Sequence, residues 1–343
     1  MKTKEAKRIA AQWVDEYVAH LPGFHGAYLA GGIHRVADDD PLPPHIDVDV
    51  HVILERPHES GQRQEAYLYH GVLIESYYVD RAAYQTWEQV VSDPLESESF
   101  RSPSVLADPT GTLIPIQQAV AENFTKHEWL EARCGALKQM IAGILANEAL
   151  SASMPHMVRL LALIPYLIAN VRLKGPTNRR AYCQLRDILH ADGRQDLFES
   201  IMALNDLRPI SREEVELRLQ ESLRAFDRAV EVFKTPFFSQ HRIHSYTRPY
   251  VEAGARDMID QGYHREAMSW IIWHHVIANV VIQTDAPEEG KREFQETYDR
   301  LYGDSPAWYG RRKQWPDRND TLVIARVAGN VLSYVDGVLA STS

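Results

Sequence analysis

Three carboxylates and a pair of glycines near the start of the chain have the types and spacing of a reactive site. Tyr28-Leu29-Ala30-Gly31-Gly32-Ile33-His34-Arg35 is followed by an acidic, proline-rich loop and then by Ile46-Asp47-Val48-Asp49-Val50-His51-Val52. Residues two apart on a strand share a face. Asp47 and Asp49 therefore project side by side, with Val48 and Val50 turned to the buried face. Two carboxylates this close repel each other unless positive charge lies between them. A divalent cation with oxygen ligands is the usual solution. Further on, Val72-Leu73-Ile74-Glu75-Ser76-Tyr77-Tyr78-Val79 is an apolar strand interrupted by one charge. Glutamate is disfavoured at a strand centre, so Glu75 needs a reason to be there. If its strand lay beside that of Asp47, three carboxylates would meet at one edge of a cleft.

Three carboxylates match what two Mg2+ ions require for phosphoryl or nucleotidyl transfer. In such sites the ions lie about 3.5–4 Å apart and clamp the attacking and leaving oxygens of an in-line displacement. Mg2+ takes few carboxylates and fills its octahedron with water and substrate phosphate. Mn2+ is an acceptable substitute for such oxygen ligands. Gly31 and Gly32 have a separate task. Without side chains, their backbone N–H groups can approach a phosphate, and a helix starting near Ile33 would add a favourable dipole. Arg35, just beyond, is placed to pair with phosphate.

A Gly-Gly turn, a loop, Asp47-x-Asp49 on a strand and Glu75 on a later strand resemble the nucleotidyltransferase superfamily of DNA polymerase β. With a helical domain following, the chain resembles the aminoglycoside (kanamycin-type) nucleotidyltransferases and their bacterial relatives. Val105-Leu106-Ala107-Asp108-Pro109-Thr110-Gly111 resembles a turn common after the third carboxylate in that group. The resemblance covers roughly residues 20–120. It implies that Asp47, Asp49 and Glu75 are catalytic metal ligands and that Gly31 and Gly32 cradle a nucleoside triphosphate, ATP first. The acceptor it implies is a hydroxyl of a small molecule such as an aminoglycoside. Protein adenylylation and a catalytically silent nucleotide-binding protein are the alternatives. The group commonly has Gly-Ser where this chain has Gly31-Gly32, and the spacer from Gly32 to Asp47 is slightly long. The helical-domain glutamate that serves as base in kanamycin-type enzymes has Glu131 and Glu148 as its candidates here. Those enzymes are dimers, and the apolar helices of this chain would support a homodimer.

The elements that must position these residues change character near residue 125. Before it, strand-like and helix-like pieces alternate: a helix over 5–20, strands over 26–30, 46–54, 65–69 and 72–79, a helix over 81–91, a short strand over 104–107 and a helix over 113–123. After it nearly everything is helical. Leu137, Met140, Ile141, Ile144 and Leu145 repeat as one buried helix face, and Met157 to Val171 is almost wholly apolar, with Pro165 expected to kink or divide it. The expected fold is therefore α+β, a minimal nucleotidyltransferase mixed-sheet domain over 1–125 followed by an all-α bundle over 126–343.

Composition bounds the rest. The 343 residues are 45% hydrophobic and 24% charged, as in ordinary globular proteins. No run of 18 or more apolar residues occurs, so no membrane span is expected. Two cysteines, Cys134 and Cys183, point to a reducing compartment, to a cytoplasmic location and to inert core thiols. The formal net charge of −10 argues against a nucleic-acid partner. The basic clusters Asn178-Arg179-Arg180 and Arg311-Arg312-Lys313 are short. His241-x-x-His244 and His274-His275 lack the i, i+4 spacing of a helical zinc site. Asp38-Asp39-Asp40 reads as a solvated loop.

Overall fold

The computed structural model of the chain describes residues 1–56, 64–147, 154–237, 239–302 and 318–342. They form two compact units, Met1–Arg133 and Cys134–Ser343. The fold is α+β, with a mixed sheet in the first unit and helices throughout the second.

The sheet of the first unit has five strands: β1 (Phe24–Ala30), β2 (Val48–Leu54), β3 (Gln64–Tyr69), β4 (Val72–Asp80) and β5 (Val105–Ala107). Their spatial order is β3-β4-β2-β1-β5. Only β2 and β4 run parallel; β1–β2, β1–β5 and β3–β4 are antiparallel. Alternation then sorts the side chains. Val48, Val50, Val52, Val72 and Ile74 pack on Ala6, Ile9, Ala10 and Trp13 of α1 (Thr3–Trp13). The opposite face sets Tyr28, Ala30, Ile53 and Val79 against Val90, Val91, Phe100, Leu113, Ile116 and Val120. These come from α2 (Trp87–Ser92), α3 (Leu113–Asn123) and the turn between them. Truncating a buried aromatic such as Trp13 to alanine costs about 3–5 kcal/mol.

Three local expectations need correction. The residues after Gly31-Gly32 form a five-residue 3-10 turn, Gly31–Arg35, and Val36 is already extended. Two glycines with a β-branched residue on either side of His34-Arg35 cannot sustain an α-helix, so the helix dipole expected there is lacking. The helix expected over 81–91 is a 3-10 turn, Arg81–Tyr84, and a separate α2. Thr86 divides them, because it closes a capping box with Gln89. Pro165 does not divide its helix, which runs from Met154 to Val171. Leu160, Leu161, Ile164, Leu167, Ile168 and Val171 are all buried there, and that packing outweighs the roughly 3 kcal/mol proline penalty.

In the second unit, Arg212–Val232 lies along His264–Asp285, and Ser222 Oγ donates to the Ile271 carbonyl at 3.2 Å between them. The helix Gln195–Leu204 carries no strong sequence signal, yet it buries Leu197, Phe198, Ile201 and Met202. Among the described residues one helix, Asp320–Ser341, is long and apolar enough to cross a membrane by length and composition. Alanine, glycine and serine between the aliphatics raise its hydropathy without an unbroken apolar run. Its Ile324, Val327, Ala328, Val331 and Val335 are buried within the unit, and Asp336 pairs with Lys138. Cys134 and Cys183 are buried and form no disulfide, and burial pushes the Cys183 thiol up to about 12.

Three histidines of this unit sit in its core. Among the described residues neither ring nitrogen of His241 has a hydrogen-bond partner, nor does Nε2 of His274. Burial lowers His241 and His274 to about 3 and His275 to about 4. Unfolded histidine titrates near 6.5. Below that pH the unfolded chain binds protons that the folded chain refuses, so stability falls from about pH 6.5 down to about pH 4 for His275 and about pH 3 for His241 and His274, by up to ~1.4 kcal/mol per histidine per pH unit. Denaturant unfolding at about pH 7 and about pH 5 is expected to show this loss, and His241→Leu to remove part of it. Equal stability at the two pH values would contradict the burial of these rings.

Candidate metal centre

Strand pairing assembles the site. The parallel register of β2 and β4 sets Asp49 beside Glu75, and the antiparallel register of β1 and β2 sets Ala30 beside Asp49. Asp47 precedes β2 by one residue and shares the face of Asp49. One carboxylate oxygen from each of Asp47, Asp49 and Glu75 lies within 4.8 Å of the others. Asp47 and Glu75 are buried, at 8% and 2% exposure, and Asp49 is half-buried. At 4.8 Å a pair of ionised carboxylates repels by roughly 3.5 kcal/mol at an effective dielectric of 20. Gln64 Nε2 donates to Glu75 Oε2 at 2.9 Å and also to the Tyr77 hydroxyl, which steadies the third carboxylate from β3.

Gly31 completes this arrangement. It follows Ala30 at the end of β1 with φ +68°, and a Cβ there would lie 1.8 Å from Asp49 Oδ2. Glycine is thus required twice, by the left-handed backbone and by the carboxylate against it. Gly32 is less constrained, since its Cβ would meet only Ile46 Cδ1 at 3.2 Å. Arg35 ends the turn, exposed, near Glu98. Burial raises the Glu98 carboxyl above its ordinary value, against the downward pull of Arg101, Arg35 and Arg133. The sheet therefore gathers Asp47, Asp49, Glu75 and Gly31 at one point, with Gly32 and Arg35 leading away along the turn.

Behind the carboxylates lies a polar row that the motif alone does not reveal. His51 pairs in register with Tyr28 on β1 and Tyr77 on β4. Its Nδ1 is 2.9 Å from the Tyr28 hydroxyl and 3.1 Å from Glu96 Oε2. Tyr28 donates to Glu96 Oε2 at 2.6 Å and meets the Tyr84 hydroxyl at 2.6 Å. Burial pushes Glu96 up, but His51 and Tyr28 outweigh it and hold the carboxyl below its ordinary value. Both tyrosines are raised well above theirs, chiefly by burial. His51 was legible as a same-face neighbour of Asp49. Glu96 was not, because nothing in a turn far along the chain, just before the 3-10 segment Ser97–Phe100, signals its partner.

Other sequence candidates fall elsewhere. Glu131 is largely exposed and pairs with His127 at 3.2 Å, while Glu148 and Arg311-Arg312-Lys313 lie outside the described residues. Asp38 and Asp39 pair with Lys2, Lys4 and Lys7, so that loop is tied to α1. Asp108 accepts the backbone N–H groups of Thr112, Leu113 and Ile114, so the Asp108-Pro109-Thr110-Gly111 turn caps α3. Arg180 pairs with Asp257 at 2.6 Å.

The donor set is all oxygen, from three carboxylates, with two of them buried and their orientation fixed by backbone pairing. Such donors suit a hard divalent cation such as Mg2+ or Mn2+. No protein-family model matches the chain, and no curated protein matches it. Among solved structures it is similar to a nucleotidyltransferase-like protein from Exiguobacterium sibiricum, at 9% identity and a TM-score of 0.30, over 86% of this chain and 90% of that one. A likeness so distant carries no residue correspondence, and the assignment of chemistry rests on the carboxylates themselves.

Gly31 offers a clean test of the close packing. Gly31 and Gly111 have nearly the same positive φ, +68° and +69°, but a Cβ at Gly111 would meet nothing within 4 Å. Gly111→Ala is expected to cost about 1 kcal/mol in denaturant unfolding, from backbone strain alone. Gly31→Ala should cost at least about 1 kcal/mol more, because Asp49 must move. Equal losses would show that Asp49 does not press on the turn.

Proposed function

We propose that the protein is a Mg2+-dependent nucleotidyltransferase that moves AMP from ATP onto a hydroxyl group of a small molecule of the aminoglycoside type. The observation that supports this reading is the meeting of Asp47, Asp49 and Glu75 within 4.8 Å, directly against a glycine turn. Asp47, Asp49 and Glu75 would hold the cation. Bound there, Mg2+ would neutralise phosphate charge and stabilise pyrophosphate as it leaves. Gly31 and Gly32 keep the turn free of side chains, so phosphate oxygens can reach backbone N–H groups. Arg35 presents a guanidinium at the far end of the same turn, suited to a phosphate. In the transfer, the acceptor oxygen bonds to the α-phosphorus as the bond from that phosphorus to the bridging oxygen breaks. Pyrophosphate departs, and the hydroxyl proton is released to solvent. ATP and Mg2+ as substrates suit a cytoplasmic location, as do two buried cysteines outside any disulfide.

Incubation with α-labelled ATP, Mg2+ and a panel of aminoglycosides tests the reading, with cell extract in parallel. Wild type is expected to label an aminoglycoside, and Asp49→Asn to lose at least about a hundredfold in rate. Label found only on protein from the extract would replace the small-molecule acceptor with a protein. A wild type that binds no ATP in the presence of Mg2+ would overturn nucleotidyl transfer altogether.

A further inference from the structure

The polar row beside the carboxylates has no role in metal or phosphate binding, and its geometry suggests one. His51 follows Asp49 by two residues on β2 and shares its face, about 6.5–7 Å along the strand. Glu96 is a carboxylate and only accepts. Tyr28 has one proton and donates it to Glu96, and Tyr84 can donate its own to Tyr28. With its proton given to Glu96, the Tyr28 oxygen accepts from His51 Nδ1 at 2.9 Å, which places the imidazole proton on Nδ1, 3.1 Å from Glu96 Oε2. An uncharged imidazole with its proton on Nδ1 has a bare lone pair on Nε2. Among the described residues Nε2 has no hydrogen-bond partner, and the His51 side chain keeps 14% of its surface exposed. The network runs from two buried tyrosines through the Glu96 carboxylate, 23% exposed, to the His51 ring, 14% exposed, beside the carboxylate cluster.

We propose that His51 is an acceptor-binding residue, whose Nε2 receives the hydrogen bond of the attacking hydroxyl at the border of the carboxylate site. Glu96 and Tyr28 are then positioning residues that fix the ring and its tautomer. The proposal rests on nucleotidyl transfer at Asp47, Asp49 and Glu75.

Two measurements on the full chain test it. Nitrogen NMR of histidine-labelled protein, well above the ordinary histidine pKa of about 6.5, reads the tautomer of His51, with His51→Gln assigning the signal. A proton on Nδ1 is expected, and a proton on Nε2 overturns the proposal. Pyrophosphate release from Mg2+·ATP, with water and with kanamycin as nucleophiles, should fall about tenfold or more in His51→Leu at unchanged ATP affinity. His51→Gln, whose amide oxygen can accept, should recover much of the rate. A His51→Leu rate equal to wild type, with ATP still bound, overturns this proposal alone. Failure of the wild type to bind Mg2+·ATP overturns it together with the transfer reaction beneath it.

Discussion

The constraint on which the site depends is electrostatic. Three carboxylates are brought within 4.8 Å by strands that cannot separate without breaking the sheet. Side chains alone would relax such a cluster by rotating apart. Here Asp49 and Glu75 are registered partners on parallel strands, Asp47 shares the face of Asp49, and Gln64 holds Glu75 from the next strand. The surroundings narrow the choices further. Valines at 48 and 50 anchor the opposite face in the core, so β2 cannot slip by one residue without burying both aspartates there. A cluster that is costly in itself and enforced by the backbone is what a cation site requires.

The turn after β1 belongs to the same constraint. Ala30 pairs with Asp49, so the next residue falls against that carboxylate, and only glycine leaves room. Gly31 and Asp49 are thus coupled through one antiparallel register, although eighteen positions separate them in the chain. The 3-10 turn that follows is too short to act as a helix terminus. Any phosphate interaction there must come from individual backbone N–H groups and from Arg35, not from an aligned dipole.

How much was legible in the sequence follows from the range of each interaction. Alternation on β2 and the lone charge in β4 exposed Asp47, Asp49 and Glu75, because a strand's period of two is a local property. Periodicity exposed the helix His127–Ala146 in the same way, through Leu137, Ile141 and Ile144 on its buried face. What stayed hidden depended on partners distant in sequence. Glu96 acquires its meaning only when α2 and the 3-10 segment after it cover the sheet face bearing His51. Pro165 looked like a kink or a break because propensity is local, whereas the packing that keeps Met154–Val171 one helix is not. The segment after Gly32 looked like a helix start because glycines mark both helix starts and turns.

The central claim is that Asp47, Asp49 and Glu75 bind a divalent cation together. Titration of Mn2+ into the protein, with the free ion followed by electron paramagnetic resonance, tests it most directly. The account predicts saturable binding by the wild type and at least about tenfold weaker binding by Glu75→Gln, which keeps the shape of the side chain and removes its charge. A wild type that leaves Mn2+ free at millimolar concentration, or a Glu75→Gln variant that binds it equally well, would contradict the account.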